Sequence, residues 1–282
     1  MPPARRRPST ASERRRTRAA QRNTRSDLLQ RILVAVPAIA FAIFLVASGG
    51  IIFTVGLIAL GLICLHELFH MFDRAHPARL AGFAGLIGLL LAAYYGEREQ
   101  VLLAFVCTLP LVFLVTIVQP VGGGAAAISV TMLGLAWIGL GFAHAVLLRG
   151  LPHGDASVLV GTFLGDTGAY LGGRALGQTK LEPTISPNKT VEGLAIGILV
   201  AIASVWFAGL YQDWLSGTDA LLLGLGVALA APLGDLFESY LKRDAGTKDT
   251  GTLFGAHGGA LDRLDAVLFT AVVGYYVWLA LL

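Results

Sequence analysis

Residues 232–265 read PLGDLFESYLKRDAGTKDTGTLFGAHGGALDRLD, with apolar runs on both sides. Asp235, Glu238, Lys242, Arg243, Asp244, Lys248, Asp249, His257, Asp262, Arg263 and Asp265 crowd into this segment, with Ser239 and several glycines between them. Elsewhere charge is sparse: the 282 residues are 55% hydrophobic and 14% charged, with a mean hydropathy of +0.71. A soluble domain needs a far more polar surface, whereas repeated apolar runs of about 18 or more residues belong to spanning helices. The fold class expected is therefore all-α, a polytopic membrane helix bundle. Ionisable groups at a membrane edge are costly, so their concentration in one segment marks a functional site.

Working outward, apolar length gives about nine spans, at 29–47, 51–71, 80–95, 101–118, 128–148, 156–174, 191–211, 219–240 and 265–282. They divide into a disordered basic tail at 1–27, membrane helices over 28–155, and a region at 156–282 that carries two polar loops. The formal net charge of +3 has its excess in the tail. No aromatic residues are interleaved with the tail arginines, which argues for a topology signal on anionic lipid and against nucleic acid. No small-residue cleavage site follows it, so it does not read as a secretory signal. The two cysteines, Cys64 and Cys107, lie inside apolar runs and read as buried small hydrophobes. Gly161 and Gly165, Gly168 and Gly172, and Gly193 and Gly197 have the small-xxx-small spacing of close helix contact. Lone His144 reads as an interhelical hydrogen-bonding group.

Charge bias orients the chain. With a cytoplasmic N-terminus, the inner loops carry Arg74, Arg79, Lys180, Lys189, Lys242, Arg243, Lys248 and Arg263, against Arg98 and Arg149 outside. This follows the positive-inside rule and puts both polar loops on the cytoplasmic face.

Asp235, Glu238, Ser239 and Lys242 share one helix face by their spacing of three, four and seven. A Gly- and Thr-rich loop follows, with backbone able to approach phosphate oxygens at Gly258 and Gly259. Asp262 and Asp265, with Asp235, could hold a hard divalent cation such as Mg²⁺. Lys242, Arg243, Lys248 and Arg263 would neutralise phosphate. Carboxylates, cations and a Gly-rich loop together suit phosphoryl or nucleotidyl transfer. The plainer alternative is a salt-bridged loop, with Glu238–Lys242 and Asp244–Lys248 as ordinary helix pairs and Asp262 as a cap. The second loop, GDTGAYLGGRALGQTKLEPTISPNKTVEG at 165–193, places Asp166, Tyr170 and Arg174 on one helix side. Ser186, Lys189 and Thr190 then stand in a rigid polar turn, for which helix capping is the competing explanation.

These residues carry a resemblance. Ser239-Tyr-Leu-Lys-Arg, Lys248-Asp249 and His257-Gly-Gly-Ala-Leu-Asp-Arg-Leu-Asp265 resemble the signature of phosphatidate cytidylyltransferases. Asp166-Thr-Gly-Ala-Tyr and Ile185-Ser-Pro-Asn-Lys-Thr-Val-Glu-Gly193 are similar to two further elements of that family. The resemblance covers roughly 160–282 and implies transfer of CMP from CTP to phosphatidate in the bilayer, releasing pyrophosphate. It implies a multi-pass plasma-membrane enzyme facing the cytoplasm, using Mg²⁺ alone or with a second cation. Its implied catalytic residues are Asp235, Lys242, Arg243, Lys248, Asp249, His257 and Arg263. Substrate contacts would come from Asp166, Ser186, Lys189, Thr190, Glu238, Ser239, Gly258 and Gly259, and metal ligands from Asp235, Asp262 and Asp265. Membrane lipids would be partners, nucleic acid would not, and a homodimer stays open. A related isoprenoid-lipid cytidylyltransferase, a polyprenol kinase-like enzyme and a charged-solute transporter are the alternatives. The absence of an internal repeat argues against the last.

One further motif, His66-Glu67-Leu68-Phe69-His70, matches the H-E-x-x-H pattern of zinc proteases. Without a third ligand, these residues read as helix-end polar groups at the cytoplasmic interface, with a supporting role for Glu67 left open.

Overall fold

The computed structural model describes residues 37, 39–118, 123–151, 157–213, 215–251 and 258–282. Expectations for the 1–27 tail and for His257 lie outside the described residues. The chain separates into a unit ending at Phe44 and a compact unit from Leu45 to Leu282; the packing below is that of the second.

The helices are α1 (Ile39–Ser48), α2 (Gly50–Met71), α3 (Arg79–Tyr95), α4 (Arg98–Val118), α5 (Gly124–Gly150), α6 (Ser157–Leu176), α7 (Val191–Gly209), α8 (Gly217–Asp244) and α9 (Leu261–Leu281). Among the described residues, α2, α4, α5, α7, α8 and α9 are long and apolar enough to cross a membrane. α1 and α3 are apolar but shorter, and α6, with Asp166, Arg174 and five glycines, is long but less apolar. The protein is an all-α polytopic membrane bundle.

Leu65 and Phe69 of α2, Leu86 of α3, Phe142 of α5 and Trp278 of α9 are fully buried in its core. On α4, Leu102, Val106, Phe113, Leu114 and Ile117 point outward, as a lipid-facing helix requires. Cys107, expected to be buried, is exposed on this same peripheral helix, whereas Cys64 is buried. Polar groups between helices find partners. His144 Nδ1 lies 2.7 Å from Leu140 O, and its Nε2 lies 3.3 Å from the Tyr276 hydroxyl of α9. Thr162 Oγ1 of α6 donates to Thr270 Oγ1 of α9 at 3.0 Å.

α6 and α7 pack backbone to backbone through their glycines. A Cβ on Gly197 would stand 2.7 Å from Ala169 Cβ and 2.9 Å from Gly165 O. The loop joining these helices is not a simple turn. β1 (Lys180–Glu182) and β2 (Ser186–Thr190) form an antiparallel hairpin, with Lys180 opposite Thr190 and Glu182 opposite Ser186. Its base is tied to α7: Thr190 Oγ1 accepts from Gly193 N, and the Glu192 carboxylate accepts from the Gln178 and Thr179 amides. Strands this short, separated by a turn with Pro183 and with Pro187 inside the second, carry no alternating pattern, which is why the sequence suggested only a rigid turn.

Gly197→Val should destabilise the bundle by about 1–3 kcal/mol through overpacking, read by denaturation in detergent. Gly88→Ala, where a Cβ meets nothing within 4 Å, should leave stability at or slightly above wild type.

Candidate active site

α8 and α9 meet at Gly234, where a Cβ would lie 2.5 Å from Asp265 O and 3.0 Å from Ala266 Cα. Lacking a side chain there, α8 lets the backbone of Asp265 lie directly against it. Asp235 and Glu238, one turn apart on α8, thereby come together with Asp265 of α9. One carboxylate oxygen from each lies within 4.8 Å of the others. Glu238 and Asp265 are 1% and 8% exposed, Asp235 half-buried. Glu238 Oε1 is buried without a hydrogen-bond partner. Like charges this close repel, which a proton or a shared cation relieves. An oxygen-only donor set with an unpartnered buried oxygen fits a hard divalent ion.

A second group of charges is satisfied within the protein. Lys242 Nζ lies 2.5 Å from Glu238 Oε2 and 2.8 Å from Asp262 Oδ1, bridging α8 and α9. Asp262 Oδ2 accepts from Thr250 N at 3.0 Å, Thr250 Oγ1 at 2.9 Å and Gly259 N at 2.7 Å. Asp262, expected as a metal ligand, is thus engaged on both oxygens, and Glu238, expected at the substrate, stands in the three-carboxylate group in its place. The physical reason is local. Asp262 sits in the first turn of α9, where backbone amides lack helical partners, and it reaches back three residues as in a capping box. The same contact occupies the Gly259 amide, which the sequence had offered to phosphate. Gly258 adopts φ +80°, and a Cβ there would collide with the Asp262 carboxylate, so glycine is required on both counts.

Glu67 joins this group from α2. It is 6% exposed and enclosed by protein, in keeping with the supporting role that the sequence left open. Its Oε1 accepts from Ala260 N at 3.0 Å; its Oε2 accepts from Leu261 N at 2.9 Å and Thr250 Oγ1 at 3.2 Å. His66 and His70 are exposed. A lone acid at the end of an apolar run was the available signal.

The hairpin reaches the same place. Lys189 Nζ lies 2.5 Å from Asp235 Oδ2, and Arg243 Nε donates to Ile185 O at 3.2 Å. Asp166, exposed on α6, feels the charges of both Asp235 and Lys189. Ser186 and Ser239 are half-buried, whereas Thr190 is buried with its hydroxyl given to the α7 cap. Lys248, Asp249 and Arg263 are exposed. The hairpin between α6 and α7 is therefore tied to the end of α8 that carries Asp235 and Arg243.

A helical membrane bundle holding one such site belongs, by sequence comparison, to a known class. The chain is a member of the cytidylyltransferase family, whose profile matches residues 29–281. Among curated relatives, it is similar to the phosphatidate cytidylyltransferase of Bacillus subtilis (strain 168), at 34% identity over 266 residues, covering 89% of this chain and 97% of the relative. It is also similar to the phosphatidate cytidylyltransferase of Synechocystis, at 34% identity over 288 residues, covering 90% and 97%. A match to that of Helicobacter pylori is 48% identical over 117 residues, covering 41% and 43%.

Lys242→Met should cost about 3–5 kcal/mol of stability, because it leaves Glu238 and Asp262 without their shared cation. A denaturation midpoint unchanged from wild type would show that the bridge does not hold α8 to α9.

Proposed function

We propose that this chain transfers the cytidylyl group of CTP to phosphatidate, giving CDP-diacylglycerol and pyrophosphate. The observation that carries this is the convergence of Asp235, Glu238 and Asp265 beside Lys189 in a membrane chain of the cytidylyltransferase family. A phosphate oxygen of the lipid forms a new bond to the α-phosphorus of CTP. The bond from that phosphorus to the α–β bridging oxygen breaks, and pyrophosphate leaves with the electron pair. The lipid phosphate is already an anionic nucleophile, so no covalent enzyme intermediate is required. The obstacle is the approach of two polyanions, which positioning and fixed positive charge relieve.

Asp235, Glu238 and Asp265 would hold Mg²⁺, which when bound neutralises and orients nucleotide phosphates. Lys189 would contact phosphate from the hairpin side, exchanging its Asp235 partner for substrate. Arg243, Lys248 and Arg263, all exposed, would be further phosphate contacts. Lys242 is held between two carboxylates, so its role is to fix α8 against α9, and Asp262 acts with it. Asp166, Ser186 and Ser239 would contact substrate, and Asp249 and His257 would shape the nucleotide loop. Phe163, Leu164 and Leu171 are exposed on α6 around Asp166, which lets acyl chains remain in lipid while the headgroup enters. All nine helices would span the membrane, with the site on the cytoplasmic face of the plasma membrane, as the Lys and Arg bias of the loops supports.

Purified protein, given CTP labelled at the α-phosphate with phosphatidate and Mg²⁺, should move label into a CDP-lipid and release equimolar pyrophosphate. Omitting either addition should abolish both. Label remaining in soluble nucleotide would refute the proposal. Glu238→Gln should lower turnover by about 100-fold or more, the upper end for disturbing a metal site.

A further inference from the structure

Glu67 is separated from the site by more than half the chain, yet Thr250 and the residues that open α9 are arranged around its carboxylate. Two amides at the start of α9, Ala260 and Leu261, donate to it, and so does the Thr250 hydroxyl. The amides of a helix's first turn lack intrahelical acceptors. Here a carboxylate from α2 supplies them, and its charge suits the positive end of the helix. The fit leaves no slack. A Cβ on Gly251 would lie 2.6 Å from Glu67 Oε1, and one on Gly259 would overlap the Glu67 carboxylate.

The contacts continue toward the reacting end. Thr250 Oγ1 stands 3.2 Å from Glu67 and 2.9 Å from Asp262, so its single proton is shared between them. Asp262 holds Lys242, and Lys242 holds Glu238 of the three-carboxylate group. No bond in this series touches a substrate-facing oxygen until Glu238.

We propose that Glu67 is a positioning residue, a latch from α2 that fixes Thr250 and the first residues of α9 so that Asp262 and Lys242 aim Glu238 and Asp265 for cation and nucleotide. Its catalytic consequence rests on the cytidylyltransferase reading; its effect on these residues does not. The latch needs both acceptor oxygens and full side-chain length. Glu67→Gln keeps the shape but in either orientation turns its amide NH2 toward a backbone N–H, that of Ala260 in one and of Leu261 in the other. Glu67→Asp keeps the charge but stops one methylene short.

The test uses the full chain purified in detergent. Hydrogen exchange is read by mass spectrometry on peptides spanning 258–265, without substrate. Turnover, the KM for CTP and the half-saturating Mg²⁺ concentration are then measured, with thermal unfolding as the check on folding. Glu67→Gln should exchange at least about tenfold faster across 258–265. Its kcat should fall about 10–100-fold with a raised Mg²⁺ requirement, while it remains folded and its KM for CTP moves little. Glu67→Asp should recover part of the kcat and of the protection. His66→Gln, on the exposed side of the same helix, should match wild type throughout. Wild-type exchange in Glu67→Gln would overturn the latch. Wild-type kcat and Mg²⁺ dependence per folded molecule would overturn its positioning role and leave Glu67 a purely stabilising group. A wild-type protein that transfers no cytidylyl group would overturn the reaction instead, and the exchange result would still decide the latch.

Discussion

The ammonium of Lys242 between Glu238 and Asp262 is the contact on which the rest of the site depends. Ions buried in an apolar bundle cost several kcal/mol each unless they are paired and hydrogen-bonded. This chain buries Glu67, Glu238 and Asp265 almost completely, and it does so by dividing its charges into two sets. One set is closed: Lys242, Asp262, Thr250 and Glu67 satisfy one another and the first amides of α9. The other set, Asp235, Glu238 and Asp265, converges with a buried oxygen unpartnered. Glu238 belongs to both, with one oxygen in each. The closed set carries the geometry, and the open set carries the binding capacity.

This division explains the small residues around the site. Gly234 lets α9 press on α8, Gly259 leaves room for Glu67, and Gly258 supplies the backbone turn under Asp262. The Gly-lined contact of α6 with α7 does the same for the second loop. It holds the hairpin base close enough for Lys189 to reach Asp235 and Arg243 to reach the Ile185 carbonyl.

The membrane class, the two polar segments and the pairing of helices through glycine were legible in the sequence, because each is a local pattern of composition or spacing. The spacing of Asp235, Glu238 and Lys242 put them on one face, as the structure does. What spacing could not say is which way α9 is rotated. Asp262 and Asp265 are three residues apart and both face α8, but one meets Lys242 and the other the carboxylate pair. Only tertiary contact decides between them. For Glu67 the sequence left only a supporting role open, and its contacts were hidden for a stronger reason. Its partners are about 190 residues away, and the two flanking histidines drew attention to a zinc motif whose histidines turn out to point outward. The hairpin was missed because three- and five-residue strands around a proline leave no alternation to detect.

The central claim is that the open carboxylates bind the cation and the closed ones position them. Binding of Mn²⁺, as a spectroscopic stand-in for Mg²⁺, to purified protein without substrate tests this most directly. Asp235→Asn should lose most of the binding, whereas Asp262→Asn, if folded, should keep a site of the same stoichiometry. Loss of the site in folded Asp262→Asn with retention in Asp235→Asn would contradict the account and return Asp262 to the metal.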